Sequence, residues 1–130
     1  ALKAESDMDE VDVVVPRDQI AVFISYTKEL EEQYGIRIRS FGHAGDGNMH
    51  VYIMRDDIDE TIWRGKMREI MDLLYAEGKR LGGQVSGEHG IGVSKREYLV
   101  SDLGDDLATL HRQIKAVFDP KHILNPGKVI

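Results

Sequence analysis

The sequence predicts an α+β domain: a ferredoxin-like βαββαβ sandwich with a helical C-terminal segment. Three observations carry this. Apolar residues recur at helical spacing in two separate windows, residues 17–34 and 60–81. Short extended runs flank and separate those windows, at 12–15, 36–44, 48–54 and 84–86. Asp46-Gly47 stands between two alternating runs, which is a strong short hairpin signal. Strand, helix, hairpin, helix, strand is the split βαβ order, with both helices on one face of an antiparallel sheet.

Each element follows from local chemistry. Residues 1–10 are polar and expected to be a flexible lead-in; residues 11–90 form the ferredoxin-like part and 91–130 the helical tail of a single domain. Asp12-Val-Val-Val15 reads as a strand ended by Pro16. In the first helix Ile20, Phe23, Thr27, Leu30 and Tyr34 share a stripe, and Gly35 supplies the stop. The second helix turns Trp63, Met67, Ile70, Met71, Leu74 and Leu81 inward and ends at Gly82-Gly83. Residues 84–86 read as the fourth strand. In the tail, Leu103, Leu107, Leu110, Ile114 and Val117 make an amphipathic stripe that stops at Asp119-Pro120. Asn125-Pro126-Gly127 carries turn chemistry.

The hairpin bears the chemistry. A type I′ turn at Asp46-Gly47 pairs His43 with His50, with Cβ atoms roughly 4.5–5.5 Å apart. A turn one residue later would pair His43 with Tyr52 instead. The two-residue period puts Phe41, His43, Asn48, His50 and Tyr52 on one face, and Gly42, Ala44, Met49, Val51 and Ile53 on the other. The second set suits packing under helices. The first set suits a site, on a face that the helices leave open.

Composition narrows the partners. A net charge of −6 argues against nucleic acid and against an anionic membrane surface, both of which need a basic footprint. The acidic residues Glu5, Asp7, Asp9, Glu10 and Asp12 read as a solvated stretch. With no cysteine, disulfides and thiolate zinc sites are excluded, which fits a cytoplasmic protein.

The segment Gly87-Glu88-His89-Gly90 adds a carboxylate and an imidazole beside glycines. Two imidazoles and one carboxylate form a common ligand set, which zinc, manganese or non-haem iron accepts. His43, His50 and Glu88 are the candidate ligands. His89 is then left to act as a base, the natural role for imidazole near neutral pH. Blander readings suit other residues. Asp46 is explained by its turn, His111 and His122 lie outside the cluster, and Arg37, Arg39 and Lys95 read as surface cations. Trp63 and the methionines sit at core spacing. No P-loop pattern is present, since Val93 follows the glycines where that signature needs lysine.

Three motifs, in order, resemble a known family: Gly42-His-Ala-Gly-Asp-Gly-Asn-Met-His50, Ser86-Gly-Glu-His-Gly-Ile-Gly92 and Phe118-Asp-Pro-Lys-His-Ile-Leu-Asn-Pro-Gly-Lys128. They look like the C-terminal domain of FAD-linked oxidases of the vanillyl-alcohol-oxidase type. The subgroup is that of D-lactate dehydrogenase, the glycolate oxidase subunit GlcD and D-2-hydroxyglutarate dehydrogenase. The resemblance implies a divalent metal (zinc, manganese or iron) at His43, His50 and Glu88, and His89 as the base that takes the substrate hydroxyl proton. It implies that Asn48 lies at the substrate and Asn125 near the flavin. The implied reaction is FAD-dependent oxidation of a small 2-hydroxy acid.

Members of that family carry an N-terminal FAD-binding domain, which this sequence lacks. The expectation is therefore a C-terminal substrate and metal domain that works with its own FAD domain and is inactive alone. An electron-transfer partner, a homodimer and membrane association through partners are further expectations. The alternative is a non-enzymatic metal- or protein-binding module with the same fold; a metallohydrolase is a third reading.

Overall fold

The computed structural model describes residues 6–130. They form two compact units that divide between Glu88 and His89. The first unit holds β1 (Met8–Val14), a 3-10 turn (Arg17–Gln19), α1 (Ile20–Tyr34), β2 (Ile38–His43), β3 (Asn48–Met54) and α2 (Glu60–Arg80). The second holds α3 (Arg96–Phe118) and the C-terminal tail. The architecture is α+β, as the sequence predicts. Among the described residues, no helix is long and apolar enough to cross a membrane.

In the first unit the strands are antiparallel in the order β1-β3-β2. Val11, Val13, Ile38, Met49, Val51 and Ile53 lie on one face and are buried. There α1 packs over β2 and α2 over β1. The helices contribute Phe23 and Leu30, then Trp63, Ile70, Met71 and Leu74, all buried. Fully burying an aliphatic side chain such as Leu74 is worth about 1.5–3 kcal/mol. Gly35 ends α1 in the left-handed region at φ 61°. The Asp59 carboxylate opens α2 by accepting from the N–H groups of Thr61 and Ile62, at 3.0 and 3.2 Å.

Three expectations are corrected. β1 begins at Met8, so residues 8–10 are strand rather than flexible lead-in; Met8 pairs with Met54 and Glu10 with Tyr52. Glu10 and Asp12 alternate with Val11 and Val13, and the valines face the core, while Asp9 is exposed near the strand's start. Residues 1–5, including Glu5, lie outside the described part.

The fourth strand is reduced to a single antiparallel bridge, Val14 to Gln84. Its neighbours do not extend the ladder because Asp12 on β1 takes their donors. One oxygen of that carboxylate accepts from Ser86 Oγ at 2.8 Å, Gly87 N at 3.1 Å and Glu88 N at 3.3 Å.

The hairpin register is also shifted. His43 pairs with Asn48 and Phe41 with His50, so the two histidines are diagonal rather than opposed. The loop is four residues, 44–47. The N–H of Gly47 donates to His43 O at 2.9 Å, and the Asp46 carboxylate accepts from Asn48 N at 3.0 Å. Gly47 has φ 80°, and a Cβ there would stand 1.9 Å from Val15 O. This loop is thus fastened to the end of β1, which fixes its length. A slip of two residues preserves the faces, so His43, His50 and Asn48 still share a side.

The second unit departs from a simple amphipathic helix. Gly104, at φ 70° and ψ 173°, breaks α3 into two segments. Ala108 is buried, whereas Leu107, Leu110, Ile114 and Val117 of the expected stripe are exposed. A unit this small has too little surface to cover them. The tail is held by Asp119, whose carboxylate accepts from Ile123 N at 2.9 Å and Leu124 N at 3.0 Å. Burial works to raise the pKa of Asp119. The two N–H donors and nearby Lys115 outweigh it and hold the carboxyl below its ordinary value.

Candidate metal centre

His43, His50 and Glu88 come together at the side of the sheet away from the helices. Glu88 Oε1 lies 3.0 Å from His50 Nε2 and 3.7 Å from His43 Nε2. The ligand-type atoms of all three residues fall within 4.8 Å of one another. The two imidazoles meet edge to face, with centroids 5.7 Å apart. His50 is 4% exposed, while His43 and Glu88 are open to solvent.

This geometry fits a metal ion. Ligand bonds of about 2.0–2.2 Å in a tetrahedral site separate neighbouring ligand atoms by about 3.4 Å. The two separations from Glu88 bracket that figure. The hydrogen-bond chemistry points the same way. His50 faces a carboxylate oxygen at each ring nitrogen: Glu10 Oε1 at 3.1 Å from Nδ1, and Glu88 Oε1 at 3.0 Å from Nε2. A neutral imidazole can donate to only one of them. A cation shared by Nε2 and Glu88 satisfies the other contact; a second ring proton is the alternative.

Asn48 stands beside this cluster, one turn of the pleat from His50 on β3. It is 3% exposed, and its Oδ1 is buried without a hydrogen-bond partner. An unpaired buried acceptor costs about 1–3 kcal/mol, so this oxygen is a polar atom that the fold leaves unsatisfied. Gly87 explains how the segment carrying Glu88 can pass this close. A Cβ there would stand 2.2 Å from Asn48 Oδ1 and 2.4 Å from its Cγ.

An aromatic wall supports the histidines. Phe41 stacks on Tyr52, centroids 5.2 Å apart, and lies tilted against His50 at 5.6 Å. Burial, with the hydrogen bond to Glu10 and the negative charge of Glu10 and Asp12, pushes the Tyr52 phenol up to about 12. The phenol donates to Glu10.

The other predicted residues lie in the second unit. His89 is its first residue and is exposed. Asn125 is exposed in a turn, at φ 47°, and lines a cavity of about 540 Å³ with Phe118, Leu124 and Lys128. Lys95, expected on the surface, is buried. Arg37 and Arg39 are surface residues paired with Asp56 and Glu31. Sequence reasoning missed Glu10 and Asp12. The available signal was their alternation with Val11 and Val13, which puts both on the His50 face.

The sequence profile of FAD linked oxidases, C-terminal domain, matches residues 1–129. The chain belongs to that family. Several curated proteins are similar to it. A D-lactate dehydrogenase of Anaerostipes hadrus is 48% identical over 122 residues, covering 94% of this chain and 26% of the relative. A D-lactate dehydrogenase of Archaeoglobus fulgidus is 42% identical, covering 95% and 27%. The glycolate oxidase subunit GlcD of Bacillus subtilis is 36% identical, covering 91% and 25%. The chain thus spans about a quarter of the length of these relatives.

Proposed function

We propose that this chain is the substrate- and metal-binding part of an FAD-dependent 2-hydroxy acid dehydrogenase or oxidase, of the D-lactate or glycolate type. The observation that carries it is the convergence of His43, His50 and Glu88 beside the unpaired Oδ1 of Asn48, in a chain of this family. Those three side chains hold a divalent ion: zinc, manganese or iron. When bound, the ion supplies Lewis-acid polarisation of the substrate hydroxyl, and FAD supplies the two-electron acceptor.

The remaining work falls to this chain's own residues. Asn48 lies at the substrate. His89 takes the hydroxyl proton at a ring nitrogen. Its place next to Glu88 in sequence supports that role, because neighbouring side chains diverge and leave it off the metal. Phe41 and Tyr52 exclude water from one side of His50. Asn125 approaches the flavin from the tail.

The partner is the protein's own FAD domain, and the exposed apolar residues of α3 support such a contact surface. On this reading the isolated chain binds no FAD tightly and does not oxidise lactate or glycolate. A cytoplasmic location, with membrane association only through an electron-transfer partner, is part of the same proposal.

The test is metal content by mass spectrometry, on protein purified without chelator or affinity metal. Near-stoichiometric zinc, manganese or iron is expected, and it should vanish in a His43→Ala, His50→Ala variant. Metal that persists undiminished in that variant would refute the site.

A further inference from the structure

β1 faces the candidate site with two carboxylates that the proposed function leaves without a role. We infer that β1 is the positioning strand of the site: Glu10 fixes the ring of His50, and Asp12 fixes the backbone that carries Glu88. Neither belongs to the set His43, His50 and Glu88 assigned to the ion. This rests on the metal reading above and adds the residues that set its geometry.

Glu10 acts on His50 from the far edge of the ring. Its Oε1 lies 3.1 Å from Nδ1, whereas Nε2 is the nitrogen turned to Glu88. A proton held on Nδ1 by Glu10 leaves the Nε2 lone pair free for a cation. Carboxylate partners of this kind orient ligating histidines and raise their basicity. Glu10 is itself held by the Tyr52 phenol. The sheet register brings the three together, since Glu10 pairs with Tyr52 and Asp12 with His50.

Asp12 acts on Glu88 through the chain. It is wholly buried, and one carboxylate oxygen gathers Ser86 Oγ and the N–H groups of Gly87 and Glu88. A carboxylate oxygen that accepts from three donors of one segment anchors that segment. Without it, residues 86–88 would lose three hydrogen bonds to β1. The position of Glu88 relative to His43 and His50 would then be less firmly set. Misplacement of one ligand in three is enough to weaken a chelate.

The experiment uses the full chain and Zn²⁺, with affinity read by competition against a chromophoric chelator. Removing such supporting partners typically weakens metal binding by about 10–100-fold. The expected order for Glu10 is wild type tightest, Glu10→Gln weaker and Glu10→Ala weakest, because glutamine keeps an acceptor without the charge. Long-range ¹H–¹⁵N spectra of the metal-free protein read the His50 tautomer, which a merely structural role would not set. Wild type should keep a proton on Nδ1 whether or not Nε2 also carries one, and Glu10→Ala should shift it toward Nε2, where Glu88 accepts.

Asp12→Asn should leave that tautomer unchanged, yet weaken Zn²⁺ binding and speed amide exchange at Gly87 and Glu88. Ser86→Ala, which removes one donor only, gives the same test in a milder form if Asp12→Asn does not fold. Variants that bind Zn²⁺ within twofold of wild type, with tautomer and exchange unaltered, overturn the inference and leave the metal reading standing. A wild type that binds neither Zn²⁺ nor, in the same assay, Mn²⁺ or Fe²⁺ overturns both.

Discussion

Replacing Gly87 by alanine tests the closest approach in the candidate site. The added Cβ would stand 2.2 Å from Asn48 Oδ1, 2.4 Å from Cγ and 2.7 Å from Nδ2. Carbon and oxygen rest about 3.2–3.5 Å apart without a hydrogen bond, so something must move by about 1 Å. Asn48 has little room to do so, since it is 3% exposed and sits at the start of β3. Gly87 cannot easily yield either, because its N–H is bonded to Asp12. Overpacking of this kind costs about 1–3 kcal/mol. Each kcal/mol moves the thermal midpoint of a chain this size by about 3–5 °C, so a fall of about 3–15 °C is expected. Zn²⁺ affinity should fall as well, because the strain is relieved by displacing either Asn48 or the segment bearing Glu88.

The control is Gly45→Ala, in the hairpin loop between β2 and β3, where an added Cβ meets nothing within 4 Å. It should lie within about 0.5 kcal/mol of wild type. Thermal and urea unfolding, followed by circular dichroism, measure both variants. A Gly87→Ala variant as stable as Gly45→Ala, with unchanged Zn²⁺ affinity, would refute the packing described here.

Two further outcomes follow from the caps of the two units. Asp59→Ala removes the acceptor for Thr61 N and Ile62 N at the start of α2, and should cost about 1 kcal/mol in urea unfolding; Asp59→Asn should recover most of it. The Asp119 carboxyl is held below its ordinary value of 3.8. Its hold on the tail is thus fully present above that value and is lost only as pH falls through the lower, folded value. The amide resonances of Ile123 and Leu124 should titrate together with a midpoint under 3.8, and a midpoint at or above 3.8 would contradict the assignment.

Much of the fold was legible because local rules and tertiary packing agree. The stripe of α1 buries Phe23, Thr27 and Leu30 as its spacing demands, and Gly35 ends it. α2 buries Trp63, Ile70, Met71 and Leu74, and adds Tyr75 and Gly78, which the pattern had not singled out. Gly78 has a physical reason: a Cβ there would stand 2.9 Å from Val13 Cγ1, so the helix lies close on β1. The faces of the hairpin were legible too, since period two survives any even slip. The register was not. It depends on a four-residue loop tied to Val15, a contact between segments more than thirty residues apart.

The sequence by itself determined the helices, the hairpin, the two-faced sheet and the family. It also singled out His43, His50 and Glu88, because imidazoles and a carboxylate beside glycines are chemically conspicuous wherever they stand. Only the tertiary structure decided that these side chains meet, and that β1 brings Glu10 and Asp12 to the same face. An acidic residue in a polar stretch looks the same whether water or a buried donor satisfies it. Asp12 became an anchor because folding carried Ser86, Gly87 and Glu88 to it across more than seventy residues of chain. Composition and periodicity are local properties, and they carry no record of that distance.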